Sequence, residues 1–404
     1  MSESEKNRDK IVSDNISEVG AQKSSADNET ILSRVSEEPA KIITITSSGH
    51  RHHHSSKSGK SRKRHHRSKR KKIIKKVLLI VGIILLLAAI ITAGSIAVLY
   101  HTGKNEMKPD RVKIEAPKNV ETVDDGRYIY YKNGKYKYKD DIINMMFLGI
   151  DRNNGLGTDG IGANGQADVI AIAAIDSAKS KVTIINVPRD IITDVKVFSS
   201  SGGYSGTEKM QIALSFAYGD GGDTSCVNTM SAVRSLFYNV PISSYFALKM
   251  EGVPELNDSI GGVDVTSPET ISIFEKGQKY HLDGEDALLF VQRRDMESVN
   301  ANLKRNERQK VYLNSFISKF INQTKSDIGV PINVFNASKP YSFTNLNANR
   351  ITYLATEFIL NKKMAIQMKS VPVTVEKQGN NAANYVKEEQ FYELFLDVFY
   401  EKVK

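Results

Sequence analysis

The sequence predicts one transmembrane helix followed by an α/β domain whose mixed central sheet is flanked by helices on both sides. Three observations support this fold class. A run of 24 residues from Val77 to Tyr100 carries no charge, three mostly apolar runs with the length of strands follow at 143–150, 169–175 and 182–187, and helical patterns alternate with the later strands. We therefore divide the chain into a tail (1–76), a membrane helix (77–100), a stalk with a hairpin (101–139) and a large domain (140–404).

The membrane helix is predicted from length and charge. At about 1.5 Å per residue, the run Val77–Tyr100 exceeds the hydrocarbon core of roughly 30 Å. A cleaved signal peptide is the alternative, but its apolar region is only about 7–15 residues long. Basic residues crowd the N-terminal flank at 69–76, whereas Lys104 alone follows closely on the other side. The positive-inside rule then predicts a single-pass protein of the cell membrane, with a cytoplasmic N-terminus and an extracellular domain.

The net charge of +10 comes from one short segment. Residues 51–76 hold 13 Lys/Arg and no acid, whereas residues 77–404 hold 37 of each sign. The basic run adjoins the membrane helix and has no interleaved aromatic residues, so contact with anionic membrane lipids is favoured over binding to nucleic acid. Residues 1–50 are polar without periodicity, which predicts a disordered cytoplasmic tail.

The domain begins with a predicted β-ribbon and a sheet centre. After a polar stalk at about 101–125, the segments 128–132 and 135–139 flank Asn133-Gly134, a strong hairpin signal. The connection from the first core strand to the second is too rich in Gly for a crossover helix, and the next connection is shorter still. The three core strands are therefore predicted to be antiparallel in series.

Helices and strands alternate in the rest of the chain. We expect helices at 211–218, 228–237, 254–260, 285–292, 303–322, 351–360 and 387–403, and strands at 245–250, 263–265 and 365–373.

Composition excludes several kinds of active site. Only His281 of the eight His residues falls within the main domain, which excludes a multi-histidine zinc site there. Cys226 is the only Cys, so no internal disulfide can form, and a Ser–His–Asp or Cys–His arrangement is disfavoured. Any catalysis must use carboxylates, cations or a hard metal ion.

Antiparallel pairing brings acidic and basic residues to one edge of the predicted sheet. Asp151 ends the first strand, Asp168 precedes the second, and Pro188-Arg189-Asp190 follows the third. Two carboxylates and an Arg would suit Mg²⁺ bridging to phosphate oxygens. The alternative is that these residues mark ordinary turns after strands.

The long helix at 303–322 adds cations to this edge. Its apolar stripe contains Leu313, Phe316, Ile317, Phe320 and Ile321. At 100° per residue, Arg305 and Gln309 continue this stripe and Arg308 lies on its flank, with Arg294 at the end of the preceding helix. A buried Arg requires an anionic partner, and Arg side chains suit diphosphates. The sequence contains neither a Walker motif nor G-x-G-x-x-G after a strand, and nucleoside triphosphates are scarce outside a cell. Among the phosphoryl compounds available at the outer membrane face, a lipid-linked sugar diphosphate is therefore the favoured ligand.

These residues resemble a known family. Seven blocks in order are similar to the LytR–CpsA–Psr family of bacterial cell-envelope proteins, clearly over about 140–320. The blocks are FLGID (147–151), ADVIAIAAID (167–176), VPRD (187–190), FAYGDGG (216–222), IGGVDV (260–265), DGEDALLFVQRRD (283–295) and KRNERQK (304–310).

The resemblance implies a magnesium-dependent phosphotransferase that moves a glycopolymer from a polyprenyl diphosphate carrier to peptidoglycan. By motif, it implies Asp151 and Asp168 as metal residues. It implies Arg189, Arg294, Arg305, Arg308 and Gln309 as catalytic residues. Substrate contacts are expected from Arg189, Arg293, Arg294, Arg305 and Gln309.

Three positions depart from the family pattern. Gln292-Arg293-Arg294 replaces Arg-x-Arg, Asn302 replaces an Asp, and Gln166 replaces an Arg. The alternatives are a hydrolase of the same diphosphate, a non-catalytic lipid-diphosphate binder or wall anchor, and a membrane-bound transcriptional regulator. No general base is evident, although Asp168 and Asp190 are candidates.

Overall fold

The computed structural model describes residues 64–108, 112–151, 161–162, 165–295, 301–327, 329–361, 364–378 and 381–403. The predicted disordered tail at 1–50 and most of the basic run lie outside the described residues. The chain divides into a unit at 1–72, of which only the start of a helix is described, and a unit at 73–404.

The helices and strands of the described residues are as follows. The α-helices are α1 Arg64–Met107, α2 Asp223–Leu236, α3 Val253–Asp258, α4 Gly284–Gln292, α5 Ala301–Thr324, α6 Gly329–Ser338, α7 Ala348–Leu360 and α8 Glu388–Phe399. The first eight strands are β1 Glu121–Val123, β2 Tyr128–Tyr131, β3 Gly134–Tyr138, β4 Ile142–Asp151, β5 Gln166–Asp176, β6 Lys181–Asn186, β7 Ile192–Phe198 and β8 Tyr204–Gln211. The others are β9 Ser244–Lys249, β10 Val263–Thr266, β11 Lys279–Leu282, β12 Ser342–Thr344, β13 Ala365–Ser370, β14 Val373–Gln378, β15 Asn381–Val386 and β16 Tyr400–Val403.

The central sheet is mixed and has helices on both faces, as predicted. Its order is β12-β9-β4-β5-β6-β13, with β4, β5 and β6 antiparallel and with β9 and β13 parallel to their neighbours β4 and β6. One face packs on α2 and α8, and the other packs on α5, α7 and the end of α1. A third cluster joins α3, α4, α5 and the β10–β11 pair.

Helix α1 contains the predicted membrane span. Ile74–Met107 is the segment of the described residues that is long and apolar enough to cross a membrane, and its most apolar stretch is fully exposed. The helix continues past Tyr100 to Met107, which is buried. The segment interpreted as a polar stalk is thus the end of α1 followed by residues that include buried Ile114.

The hairpin turn lies one residue earlier than predicted. Lys132 and Asn133 form the two-residue loop with φ of 45° and 59°, and Gly134 pairs with Tyr131. A type I′ turn needs positive φ at both central residues, which Asn adopts readily and Lys does not. The Lys132 ammonium contacts the α8 carboxylates Glu389 and Glu393, which supports this turn.

Other boundaries differ for local reasons. The segment predicted as helix at 211–218 is a 3₁₀ helix at Ile212–Tyr218. The strand predicted at 365–373 ends at Ser370, because Pro372 has no N–H to donate. The last predicted helix ends at Phe399, and Tyr400–Val403 instead pairs with β3. The hairpins β7–β8 and β14–β15, the short strands β1, β11 and β12, and helix α6 were not predicted.

Candidate functional site

A β-bulge in the sheet presents the central carboxylate of the site. Gly149 pairs with Val169 and Ile150 pairs with Ala167, which leaves Asp168 as the extra residue of β5. In a regular strand, Ala167 and Val169 would lie on the same face of the sheet. Here Ala167 packs into the core with α2 and α8, whereas Val169, which pairs with Gly149, lies on the opposite face together with Ala171. Bulges next to active sites commonly redirect a side chain in this way.

Two guanidinium groups hold this carboxylate. Arg189 Nη1 donates to Asp168 Oδ1, and Arg305 Nη2 donates to Asp168 Oδ2 at 3.2 Å. The side chains of Asp168 and Arg305 are 5% and 4% exposed, whereas that of Arg189 is 30% exposed. Charge-assisted hydrogen bonds between such buried groups are strong. Together with the adjacent carboxylate of Asp190, these three residues form what we call the acid–arginine cluster.

The turn after β6 positions Arg189 and Asp190. The main-chain carbonyl of Arg189 accepts a hydrogen bond from Ala213 N at 3.1 Å, and that of Asp190 accepts one from Asn384 N at 3.0 Å. Asp190 Oδ1 lies 3.5 Å from Arg189 Nε. Burial raises the pKa of the Asp190 carboxyl and Asp168 adds to the rise, whereas Arg189 lowers it. A carboxylate whose pKa is raised can accept a proton more readily than an ordinary Asp.

Arg308 and Gln309, two residues of α5, contact the C-terminal end of α4. The guanidinium of Arg308 is fully buried, pairs with Glu269, and donates to the carbonyls of Phe290 and Arg293. Gln309 Nε2 donates to the carbonyl of Val291 at 3.2 Å. The last carbonyls of a helix have no partner within the helix, and these two side chains satisfy them. The described contacts of Arg308 and Gln309 are therefore with the segment that leads to Arg293 and Arg294. None of these contacts is with Asp168.

For the remaining predicted site residues, the structure gives the position in the fold. Arg293 is exposed and Arg294 is half-buried, both just after α4. Asp151 ends β4 opposite Gln166, at the same end of the sheet as Asp168, and its side chain lies outside the described residues. Among the described residues, no group of three or more His, Cys, Asp and Glu side chains is arranged to hold a metal ion.

A hard cation is compatible with the donors that are described. Mg²⁺ is usually held by one or two carboxylates together with waters and substrate phosphates, so a three-residue cage is not required. Asp168 supplies carboxylate oxygens, each of which can accept more than one contact, and Asp151 ends the neighbouring strand at the same end of the sheet. The chemistry of this donor set therefore fits a magnesium ion.

An apolar strip lies on the sheet face that also packs on α5 and α7. Phe147 in β4 is 38% exposed, and its ring centroid lies 6.3 Å from that of Phe246 in β9. Ile143 is four residues before Phe147 in β4 and therefore lies on the same face, where it is buried against α5 and α7. The stripe of α5 contributes Phe316 and Phe320 to the neighbouring cluster, with their rings stacked 6.3 Å apart.

Comparison with known proteins identifies relatives. The model of the LytR_cpsA_psr family matches residues 98–396. The polyisoprenyl-teichoic acid–peptidoglycan teichoic acid transferase TagU of Oceanobacillus iheyensis is 30% identical over 184 residues, which are 44% of this chain and 51% of that protein. The corresponding transferase TagV of Bacillus subtilis is 24% identical over 219 residues, which are 50% of this chain and 51% of that protein. The chain thus spans about half the length of these relatives.

A solved structure shares the fold. Protein gbs0355 from Streptococcus agalactiae superposes with a TM-score of 0.50 and 16% sequence identity, covering 64% of this chain and 86% of that one. At this identity the similarity concerns the fold alone.

Proposed function

Because the chain belongs to the LytR-CpsA-Psr family, we propose that it transfers a glycopolymer from a polyprenyl diphosphate carrier to peptidoglycan. The observation that carries the proposal is the acid–arginine cluster, in which two Arg side chains from separate elements meet one buried carboxylate. The relatives named as teichoic acid transferases support this reaction class.

The cluster suits a diphosphate ligand. Arg189 is partly exposed and Arg305 is buried beside it, so an entering diphosphate would meet cations that are already fixed in position. Arg side chains bind phosphate oxygens in a bidentate manner. The diphosphate would replace Asp168 as the anionic partner of the Arg189 and Arg305 guanidinium groups. Arg294 would join them from the segment held by Arg308 and Gln309.

The reaction requires one bond to form and one to break at phosphorus. The acceptor hydroxyl oxygen attacks the phosphorus that carries the glycopolymer, and the bond to the bridging oxygen breaks, which releases polyprenyl phosphate. The Arg side chains stabilise the charge that develops on this leaving group. Asp190 would take the proton of the acceptor hydroxyl, because its pKa is raised and it adjoins Asp168 and Arg189.

Magnesium is part of the proposal. Asp151 and Asp168 would hold the ion together with substrate oxygens, and when bound it would neutralise charge on the diphosphate. The membrane arrangement is also proposed: α1 crosses the cell membrane once, with the basic flank at 69–76 in the cytoplasm and the domain outside.

A reconstituted transfer assay tests the function. The full chain in proteoliposomes is given a polyprenyl diphosphate-linked glycopolymer and peptidoglycan, with magnesium or with EDTA. We expect glycan covalently attached to peptidoglycan, together with released polyprenyl phosphate, and loss of both with EDTA or in Asp168→Asn.

The matched control is Asp264→Asn, since Asp264 is 83% exposed and pairs with His281 away from the cluster. Release of polyprenyl phosphate without attached glycan would identify a hydrolase. Full transfer by Asp168→Asn would show that the acid–arginine cluster is not the active site.

A further inference from the structure

Helix α1 is joined to the domain through an antiparallel contact with α7. Tyr100 Oη donates to Glu357 Oε1 at 2.9 Å, and Glu106 Oε1 accepts from Asn349 Nδ2 at 2.8 Å. Between them Gly103 packs so closely that an added Cβ would lie 2.1 Å from the carbonyl oxygen of Asn349. The two helices therefore run antiparallel, since the later residue of α1 contacts the earlier residue of α7. The C-terminal end of α7 therefore points back toward the membrane-spanning part of α1.

Leu360 lies at that end of α7. It follows Tyr353 and Glu357 on the face that contacts α1, since residues three and four apart share a helix face. It is one turn beyond Glu357, about 4.5 Å further toward the membrane at 1.5 Å per residue. This places it beside the last residues of the uncharged run that ends at Tyr100. Yet its side chain is 69% exposed.

A turn of the central sheet lies at the same level. Ser180 Oγ donates to Asn361 Oδ1 at 3.2 Å, and the carbonyl of Ser180 accepts from Ala365 N at 2.8 Å. This turn, residues 177–180 between β5 and β6, carries Lys179, whose half-exposed side chain lies 3.8 Å from the carboxylate of Glu401. Leu360 and Lys179 thus lie on two elements that are hydrogen-bonded to each other through their neighbours Asn361 and Ser180. Apolar side chains together with Lys, whose ammonium reaches the headgroups, are typical of a surface that lies in the membrane interface.

We propose that Leu360 and the turn 177–180 form a membrane rim that rests on the leaflet from which α1 emerges. Leu360 enters the boundary between acyl chains and headgroups, and the domain is held directly on the bilayer. The continuity of this surface with the membrane span selects lipid as the occupant. The inference rests on the proposed membrane span of α1.

The absence of Trp from the sequence provides the test. A single Trp is introduced as Leu360→Trp in the full chain, which is reconstituted into phosphatidylcholine vesicles whose acyl chains are brominated. Two exposed positions serve as controls: Ala348→Trp at the start of α7, about 18 Å away along the helix, and Val375→Trp on β14, which is 64% exposed. All three positions are exposed, so the fold should tolerate the substitutions.

We expect the indole at position 360 to lose most of its emission to the brominated lipid, and the indoles at 348 and 375 to be unaffected. Equal emission at all three positions would overturn the membrane rim. A blue-shifted but unquenched indole at 360 would also overturn it, because protein would then cover the site. Alkaline carbonate extraction separates the two proposals: release of the chain from the vesicles refutes the membrane span, whereas retention without quenching refutes only the rim.

Discussion

Replacing Arg308 with Met should destabilise the domain severely. The Arg308 and Glu269 side chains are 1% and 12% exposed, and the guanidinium also satisfies the carbonyls of Phe290 and Arg293. Removing one partner of a buried ion pair costs about 3–5 kcal/mol, because the other charge stays buried without compensation. For a large domain about 2 °C is lost per kcal/mol, so the melting temperature should fall by about 6–10 °C. Thermal unfolding of the detergent-solubilised chain, followed by near-ultraviolet circular dichroism, measures this.

The double variant Arg308→Met, Glu269→Gln is the control. It removes the uncompensated carboxylate, and we expect it to recover part of the lost melting temperature. Lys310→Met serves as a second control, since Lys310 is 63% exposed on the outer side of α5. An unchanged melting temperature in Arg308→Met would refute the structural role, and loss of transfer in that stable variant would instead support the predicted catalytic role.

Further predictions concern ligand, pH and topology. Arg305→Ala should retain co-purifying polyprenyl phosphate lipid at least about tenfold less well than Lys310→Ala, since a charge-assisted contact contributes about 1.5–3 kcal/mol; equal amounts by mass spectrometry would contradict this. Burial raises the pKa of Asp190, so the folded state loses stability as pH rises through that pKa. Asp190→Asn should therefore unfold at higher denaturant concentration than the native chain at neutral pH, with no advantage below about pH 4, while losing transfer activity; a constant difference across pH would count against it. External protease on spheroplasts should digest residues 103–404 and spare 1–76, and the reverse pattern would exclude the proposed orientation.

The sheet centre was predictable because its signals are local. Apolar runs of strand length joined by short or Gly-rich connections identify β4, β5 and β6 as antiparallel, and the structure confirms this pairing. The hairpins β7–β8 and β14–β15 were missed because one strand of each, β8 and β14, is mostly polar, so that neither hairpin shows two apolar runs of strand length. Their alternation of buried and exposed residues is set by the elements on which they pack, and sequence periodicity does not report this.

Two features of the site depend on tertiary structure. The sequence predicts an anionic partner for a buried Arg on α5, and Asp168 is that partner for Arg305. Arg308 lies on a buried side of the same helix, but its carboxylate is Glu269, 39 residues earlier in the chain. The helical pattern cannot distinguish these two environments. The bulge at Asp168 is equally invisible in the sequence, because its residues are compatible with a regular strand.

The direction of β5 constrains how a lipid carrier could reach the cluster. Asp168 lies near the start of β5, and Asp176 ends it beside the turn 177–180, eight residues and about 26 Å away. That turn contacts the end of α7 next to the membrane span, so the cluster lies at the opposite end of the sheet from the membrane rim. If the proposed membrane rim is correct, a diphosphate bound by Arg305 would lie away from the bilayer, and its polyprenyl chain would need an apolar environment along the way. Phe147 lies between the two ends, on a part of this face that α5 and α7 leave partly exposed, and would offer apolar surface to a chain that has left the lipid.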